Sequence, residues 1–222
     1  MARQLGLNLP VRTVLGRDDF LVAPSNAVAV ALIDRWPDWP GGKLLLAGPE
    51  GAGKTHLAHV WAAVSGARVV AAAALADGDI PALATTPVAV EDVPAIAGDA
   101  AAETALFHLH NLVLERGHSL LLTGRGAPAH WPLSLPDLKS RLQGTTLAEL
   151  APPDDNLLAA VLAKQFADCQ TMPRPDVIPY LVAHMSRSFA AARDIVARLD
   201  AESLARKRPI TRNMAIALLR ED

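Results

Sequence analysis

Eight consecutive residues, Gly48-Pro49-Glu50-Gly51-Ala52-Gly53-Lys54-Thr55, satisfy in full the sequence pattern of a phosphate-binding loop, or P-loop. An apolar run precedes them and apolar residues at helical spacing follow them, so the loop joins a predicted strand to a predicted helix. Glycines let such a loop curl until its backbone N–H groups face phosphate oxygens, and the start of the helix adds the positive end of its dipole. We therefore predict a nucleotide-binding loop. A glycine-rich turn ending in a surface lysine is the alternative, and the flanking strand and helix argue against it.

The loop also predicts individual roles. Lys54 can reach the β- and γ-phosphates, and the Thr55 hydroxyl can join the shell of a magnesium ion. We count His56, the next residue, among the cofactor-binding residues. His56 and His59 lie three apart and could share a helix face, but no third ligand follows at a spacing typical of metal sites, so we do not interpret them as one.

Short apolar runs alternate with helical patterns along the first two thirds of the sequence, which predicts an α/β fold with a parallel sheet flanked by helices. The predicted strands are Leu44–Leu46, Arg68–Val70, Val88–Val90, Leu120–Leu122 and Thr145–Leu147. Only helical patterns follow, roughly over Asn156–Cys169, Pro175–His184, Phe189–Lys207 and Thr211–Leu219. We therefore expect a P-loop core over residues 18–150 and a small all-helical lid over 151–222.

The composition limits the classes of function. A chain of 222 residues with 51% apolar residues can bury a full core, and a net charge of −2 gives no basic field for sequence-independent DNA binding. Cys169 is the single cysteine, which excludes an internal disulfide, and we expect it to be buried. The N-terminus lacks a signal peptide, and the longest apolar run, Val69–Ala76, is too short to cross a bilayer. We expect a soluble, cytoplasmic protein without a membrane partner.

Acidic residues end the predicted strand Val88–Val90, as a P-loop site requires. Glu91 is placed to hold magnesium through a water molecule, and Asp92 to orient the attacking water. Thr123 ends the next strand and could touch the γ-phosphate or that water. A strand that runs out into a solvated acidic turn is the alternative for the two acids.

Three segments together resemble a known family. They are Phe20-Leu21-Val22-Ala23-Pro24-Ser25-Asn26, the P-loop continued to Leu57, and Asp137-Leu138-Lys139-Ser140-Arg141-Leu142. In order and spacing they are similar to the AAA+ module of the bacterial replication initiator DnaA, from about Asp18 to Leu204. DnaA carries a C-terminal DNA-reading domain, for which this sequence leaves no room after the lid. It therefore looks more like the Hda family of short DnaA homologues, the regulatory inactivators of DnaA.

This resemblance implies two partners. Hda proteins attach to the DNA polymerase sliding clamp and stimulate hydrolysis of DnaA-bound ATP, which prevents re-initiation of replication. The segment Gln4-Leu5-Gly6-Leu7-Asn8-Leu9-Pro10 is similar to their clamp-binding peptide. The resemblance thus makes residues 1–17 a clamp-binding segment in which Gln4 hydrogen-bonds and Leu5, Leu7 and Leu9 fill an apolar groove. A match this short also arises by chance.

The resemblance also implies roles in the nucleotide chemistry. Arg141 falls at the family's arginine finger, a guanidinium group that enters a neighbouring subunit's nucleotide site, here that of DnaA bound to ATP. The alternative is a helix-surface arginine beside Lys139. Val22 and Asn26 fall near the adenine, so the expected cofactors are ADP or ATP with Mg²⁺. No direct sequence-specific DNA binding is implied, and a homodimer is possible.

Two departures from the family bear on catalysis. DnaA has two aspartates where this sequence has Glu91-Asp92, and the family's second sensor arginine falls near Ala190 or Ala191, so only Arg187 or Arg193 could replace it. We expect nucleotide binding to survive and intrinsic hydrolysis to be weak or absent.

Three functions remain in competition. The first is a regulator that acts in trans on DnaA. The second is a self-contained AAA+ ATPase, such as a helicase loader, that turns over in a homo-oligomer. The third is a small-molecule kinase, against which the DnaA-like segments argue. The lid's basic residues could touch DNA in a larger complex or form a solvated face, and they are Arg193, Arg198, Arg206, Lys207, Arg208 and Arg212.

Overall fold

A computed structural model describes residues 21–220, and these residues form one five-stranded parallel sheet. The strands are β1 (Lys43–Ala47), β2 (Arg68–Ala71), β3 (Val88–Glu91), β4 (Leu120–Gly124) and β5 (Thr146–Glu149). Their order across the sheet is β2-β3-β4-β1-β5, and every neighbouring pair is parallel. The predicted parallel sheet is therefore confirmed, and each predicted strand overlaps an observed one, with β5 ending two residues later than predicted.

Helices cover both faces of the sheet, because alternate strand residues point to opposite sides. Leu44 and Leu46 pack towards one face, while Leu45 and Ala47 pack towards the other. The first face carries α1 (Ala27–Asp34) and α2 (Lys54–Ser65), and the second carries α3 (Ile80–Leu83), α4 (Ala100–Glu115) and α5 (Pro136–Gln143). Short helices such as α1, α3 and α5 lack a long periodic pattern, so the sequence did not predict them.

The remaining helices pack around an apolar cluster of their own. They are α6 (Asp155–Asp168), α7 (Val177–His184), α8 (Phe189–Arg206) and α9 (Arg212–Arg220). Side-chain caps set two of their starts: Asp154 Oδ1 accepts from the Leu157 N–H at 2.8 Å, and Ser188 Oγ accepts from the Ala191 N–H at 3.0 Å. Each observed start and end lies within two residues of the predicted one.

The prediction that Cys169 is buried is wrong. Cys169 is the residue after the last turn of α6 and is exposed. The apolar stripe of that helix ends at Phe166, which is 1% exposed, so the cysteine falls beyond the part of the helix that faces the cluster. Partial desolvation of the thiol raises the pKa of Cys169, and the charges of Asp200 and Asp168 raise it further.

Parallel strands bring their carboxyl ends to one edge of the sheet. Ala47, Glu91, Gly124 and Glu149 all lie at this carboxyl edge. The predicted P-loop follows the first of them and the predicted acids follow the second. None of the helices found between residues 21 and 220 combines the length and apolar character needed to span a bilayer.

Candidate nucleotide-binding site

The P-loop joins β1 to α2 at the carboxyl edge of the sheet, where the sequence predicts it. Gly51 (φ +72°) and Gly53 (φ +95°) hold left-handed backbone conformations that other residues rarely adopt. Gly53 caps α2 without any side-chain acceptor, so the first amides of that helix have no acceptor within it. These amides form a natural site for an anion, and the loop geometry suits a phosphate.

Lys54 lies at the first position of α2, and its ammonium group bonds to the loop itself. Nζ donates to the carbonyl oxygens of Gly48 at 2.8 Å and Pro49 at 2.7 Å. Burial lowers the pKa of Lys54 and the positive charge of Arg125 lowers it further, whereas Asp92 and Glu50 raise it. Two of the three N–H donors of the ammonium group thus form hydrogen bonds to the loop, and the positive charge lies at the opening of the loop.

The residues around Lys54 fit a metal-bound nucleotide. Thr55 is exposed, so its hydroxyl is open to an ion, while Ala52 is buried and His56 is half-buried. Glu91 Oε1 is buried without a hydrogen-bond partner among residues 21–220. A buried carboxylate oxygen is costly unless it is paired, and oxygen donors are those that magnesium prefers.

Asp92 and Thr123 are held together at the ends of neighbouring strands. The Asp92 N–H donates to Thr123 Oγ1 at 3.1 Å, and Asp92 itself has a left-handed backbone with φ of 55°. Thr123 is 2% exposed. Its hydroxyl oxygen is therefore engaged by the backbone of the second acid, and Thr123 positions Asp92 directly.

Arg125 is a residue of the site that we did not predict. It follows β4 by one residue, and its Nη2 lies 3.0 Å from Glu50 Oε2 in the P-loop. Both side chains are largely exposed, at 60% and 74%. The sequence did contain one signal for Arg125, since a basic residue follows the end of a predicted strand. Nothing in the sequence shows, however, that β4 lies beside β1 and so brings this residue to the P-loop.

The start of α8 touches the P-loop directly. The Phe189 N–H donates to the Gly51 carbonyl at 3.0 Å, and a Cβ atom placed on Gly51 would lie 2.1 Å from Ser188 Cβ. Arg187 forms an ion pair with Asp155 at the start of α6. Ala190 lies in the first turn of α8, so the position predicted for the second sensor is adjacent to the loop and carries no cation.

The two residues predicted to lie near the adenine have different surroundings. The Asn26 side chain is 3% exposed and closes its own loop, because Oδ1 accepts from the Ala23 N–H and Nδ2 donates to the Leu21 carbonyl, both at 2.9 Å. Val22 is 63% exposed. A cleft of about 540 Å³ lies beside the P-loop, lined by Pro24, Ser25, Val28, Gly48, Pro49 and Leu150 among others.

Arg141 lies far from this site. Lys43, the first residue of β1, donates from Nζ to the Arg141 carbonyl at 3.1 Å. Four steps along β1, about 13 Å at 3.3 Å per residue, separate that end of the sheet from the carboxyl edge. The structure therefore groups Lys54, Glu91, Asp92 and Thr123 around the P-loop and leaves exposed Arg141 at the opposite edge. Gln4, Leu5, Leu7 and Leu9 lie outside the described residues.

Known proteins share this architecture. No protein-family model matches the chain. It is 24% identical, over a 227-residue alignment, to the chromosomal replication initiator protein DnaA of Thermomicrobium roseum; the alignment covers 92% of the chain and 49% of that protein. The chain thus spans about half the length of this curated relative.

Two solved structures have the same fold. Domain III of the Thermotoga maritima replication initiation protein DnaA matches with a TM-score of 0.80 over 96% of the chain and 98% of the domain, at 18% identity. DnaA from Aquifex aeolicus, bound to AMPPCP, matches with a TM-score of 0.69 over 86% of the chain and 68% of that structure, at 19% identity. The chain therefore has the fold of these AAA+ domains. Within that class it is similar to DnaA in both sequence and fold.

Proposed function

We propose that this chain is a DnaA-related regulator that binds ADP or ATP with Mg²⁺ and supplies Arg141 to the nucleotide site of a neighbouring DnaA molecule. The single observation that carries the proposal is the position of Arg141, exposed at the sheet edge opposite the chain's own P-loop. An arginine so placed cannot serve the nucleotide of its own chain. It is available to the site of a molecule that approaches from that side.

Nucleotide binding is supported by the residues at the carboxyl edge. The amides of the P-loop and of the first turn of α2, with the Lys54 ammonium group, are suited to hold the phosphates. Thr55 and Glu91 would hold the magnesium ion, which when bound neutralises charge on the β- and γ-phosphates. Asp92, whose backbone N–H donates to Thr123, would orient a water molecule.

Weak hydrolysis by the chain itself follows from the lid. The first turn of α8 lies against Gly51, but its residues there include Ala190 and Ala191. Arg187 is held by Asp155 at the start of α6. An alanine at the sensor position stabilises none of the charge that develops during phosphoryl transfer, so we expect bound nucleotide to be turned over slowly.

The trans step requires little chemistry from this chain. The Arg141 guanidinium group stabilises charge on the γ-phosphoryl group of DnaA-bound ATP, an effect of about 10³- to 10⁵-fold where arginine fingers have been measured. In the proposal, residues 1–17 tether the chain to the sliding clamp through Gln4, Leu5, Leu7 and Leu9, which brings it to DnaA in the cytoplasm once DNA synthesis has begun.

A self-contained ATPase is the second candidate. Its support is the complete set of P-loop, Lys54, Thr55, Glu91 and Asp92 within one chain. That function predicts steady ATP hydrolysis by this protein alone and no dependence on the N-terminal segment.

The test is the hydrolysis of ATP pre-bound to the cognate DnaA, in the presence of clamp loaded on DNA. We expect the full chain to accelerate hydrolysis, Arg141→Ala and Gln4→Ala to abolish the acceleration, and Lys139→Ala, a neighbouring change on α5, to preserve it. If DnaA-bound ATP is unaffected while this protein hydrolyses ATP by itself, the self-contained ATPase replaces the regulator.

A further inference from the structure

A buried carboxylate on α4 organises the start of the helix that carries Arg141. Glu103 is 1% exposed. Its oxygens accept hydrogen bonds from the N–H groups of Ser134 at 2.9 and 3.0 Å, Leu135 at 2.7 Å and Gly98 at 2.8 Å. Leu135 is the N-cap residue immediately before α5, and its own side chain provides no cap. Glu103 therefore supplies from α4 the acceptor that fixes where α5 starts.

This carboxylate is charged at neutral pH. Burial is the strongest single influence on the pKa of Glu103 and raises it, but the backbone donors of Ser134, Gly98 and Leu135 together outweigh burial, so the pKa is lowered. Hydrogen bonds to an ionised group are stronger and shorter than those between neutral groups. The backbone hydrogen bonds that Glu103 accepts are thus made to an ionised carboxylate at neutral pH.

One helical turn after Glu103, Phe107 lies beneath the arginine itself. The Arg141 guanidinium carbon is 5.1 Å from the centre of the Phe107 ring, within the range of a cation–π contact. Residues four apart on a helix share a face, so one face of α4 contacts both the start of α5 and its functional side chain. Phe107 is half-buried and Arg141 is exposed, so the ring restrains the guanidinium group at the surface.

A third contact holds the backbone of Arg141. Its carbonyl accepts from Lys43 Nζ at 3.1 Å and from Thr145 Oγ1 at 2.9 Å. Lys43 Nζ also lies 3.2 Å from Nε2 of His110, on the same helix as Phe107. Because the lysine is positive, it repels the guanidinium group and favours an outward orientation over the face of the ring.

We propose that α4 positions Arg141 for its trans role, with Glu103 fixing the start of α5 and Phe107 orienting the guanidinium group. The inference rests on the proposed function and adds two positioning residues to it. Neither of them would touch nucleotide.

The first readout is direct and independent of DnaA. In isotope-labelled full-length protein, the side-chain protons of Arg141 should show an upfield ring-current shift that Phe107→Leu removes and Phe107→Tyr retains. Leucine preserves apolar volume but not the aromatic face, whereas tyrosine preserves the face. Glu115→Gln, an exposed change at the far end of α4, is the control.

The second readout is stimulated hydrolysis of DnaA-bound ATP on clamp-loaded DNA. Phe107→Leu should lower the maximal rate by about two- to fivefold, the value of an exposed cation–π contact, without changing the concentration that gives half-maximal stimulation. Phe107→Tyr should restore the rate. Glu103→Gln should lower the same maximal rate and alter the Arg141 resonances.

The outcomes separate the two proposals. If Arg141→Ala abolishes stimulation while Phe107→Leu changes neither the rate nor the Arg141 resonances, the positioning role is overturned and the regulator stands. A loss of rate from Phe107→Leu that leaves the Arg141 resonances unchanged also overturns positioning, since the ring then acts by another route. If Arg141→Ala has no effect on DnaA-bound ATP, the regulator fails and the positioning role fails with it.

Discussion

The hydroxyl oxygen of Thr123 accepts a hydrogen bond from the backbone N–H of Asp92 at 3.1 Å and so joins the ends of β4 and β3. Thr123→Val keeps the side-chain shape but leaves that N–H without its acceptor, and Asp92 already has an uncommon left-handed backbone. We expect a loss of about 1–3 kcal/mol in the free energy of unfolding, measured by urea denaturation. Thr123→Ser, which keeps the oxygen, should lose less. Equal losses for both variants would contradict the role given to the hydroxyl.

Lys54→Met should weaken ADP binding by at least about tenfold, since a hydrogen bond to a charged group contributes about 1.5–3 kcal/mol. Isothermal titration calorimetry with Mg²⁺ and ADP measures the affinity. Lys139→Met removes the same charge from α5 and should leave ADP affinity unchanged. Comparable weakening by both variants would mean that the effect is one of net charge and not of the P-loop.

Gly51→Ala places a methyl group against Ser188 of α8. Gly66→Ala is a matched control, because Gly66 has nearly the same φ, +70° against +72°, and no heavy atom within 4 Å of the added carbon. Both variants carry the left-handed backbone cost of about 1–2 kcal/mol, and only Gly51→Ala should also lose nucleotide affinity and separate α8 from the loop. Thermal unfolding and ADP titration compare the two, and indistinguishable results would refute the contact.

Arg125→Met should reduce the affinity for ATP more than that for ADP. The guanidinium group pairs with Glu50 and lies near enough to Lys54 to lower the pKa of that lysine, so it adds positive charge at the opening of the loop. Because the Arg125–Glu50 ion pair is largely exposed, we expect the free energy of unfolding to change by no more than about 1 kcal/mol. The affinity for ATP, relative to that for ADP, should fall about fivefold. Titration with a non-hydrolysable ATP analogue and with ADP measures the ratio, and Arg206→Met is the control for charge. A uniform loss for both nucleotides would contradict a role near the terminal phosphate.

Protonation of His110 should destabilise the fold in mild acid. Burial, and then the charge of Lys43, lower the pKa of His110 to about 4, against 6.5 for an ordinary histidine, while its bond to Asn111 opposes the shift. Between these values the unfolded chain binds more protons than the folded one, so stability falls as the pH drops from 6.5 towards 4. We expect a loss of about 1 kcal/mol between pH 6.5 and 5 after allowing for solvent screening. His110→Leu should flatten this dependence and His108→Gln should not, as urea midpoints at the two pH values would show.

The sequence predicts local features of this fold well. Each strand core and the P-loop depend on neighbouring residues, as in Leu44–Leu46 followed by the glycine-rich turn, and all were predicted at their observed places. Contacts that join distant parts of the chain were not predicted. The bonds from Glu103 to Ser134 span 31 residues, and the pairing of Arg125 with Glu50 depends on β4 lying next to β1. Periodicity gives no information on either.

A prediction from residue type alone was wrong at one position, and the predictions at several other positions stay untested. Cysteines are usually buried, yet Cys169 lies just past the packed face of α6 and is exposed. The roles of Arg141, Val22 and Asn26 come from a family resemblance and remain predictions, although Asn26 has both ends of its amide engaged by its own loop.

Because Arg141 and the P-loop lie at opposite edges of the sheet, the molecule has two unlike ends. A contact that pairs one edge with the other is heterologous: it joins unlike surfaces, so a two-fold symmetric pair cannot form through it. Two copies joined this way would still leave one arginine and one nucleotide loop without a counterpart. In the proposed complex, such a unit would add to one end of a directional row of similar domains, and the end it occupies would decide whether it donates the arginine or receives one.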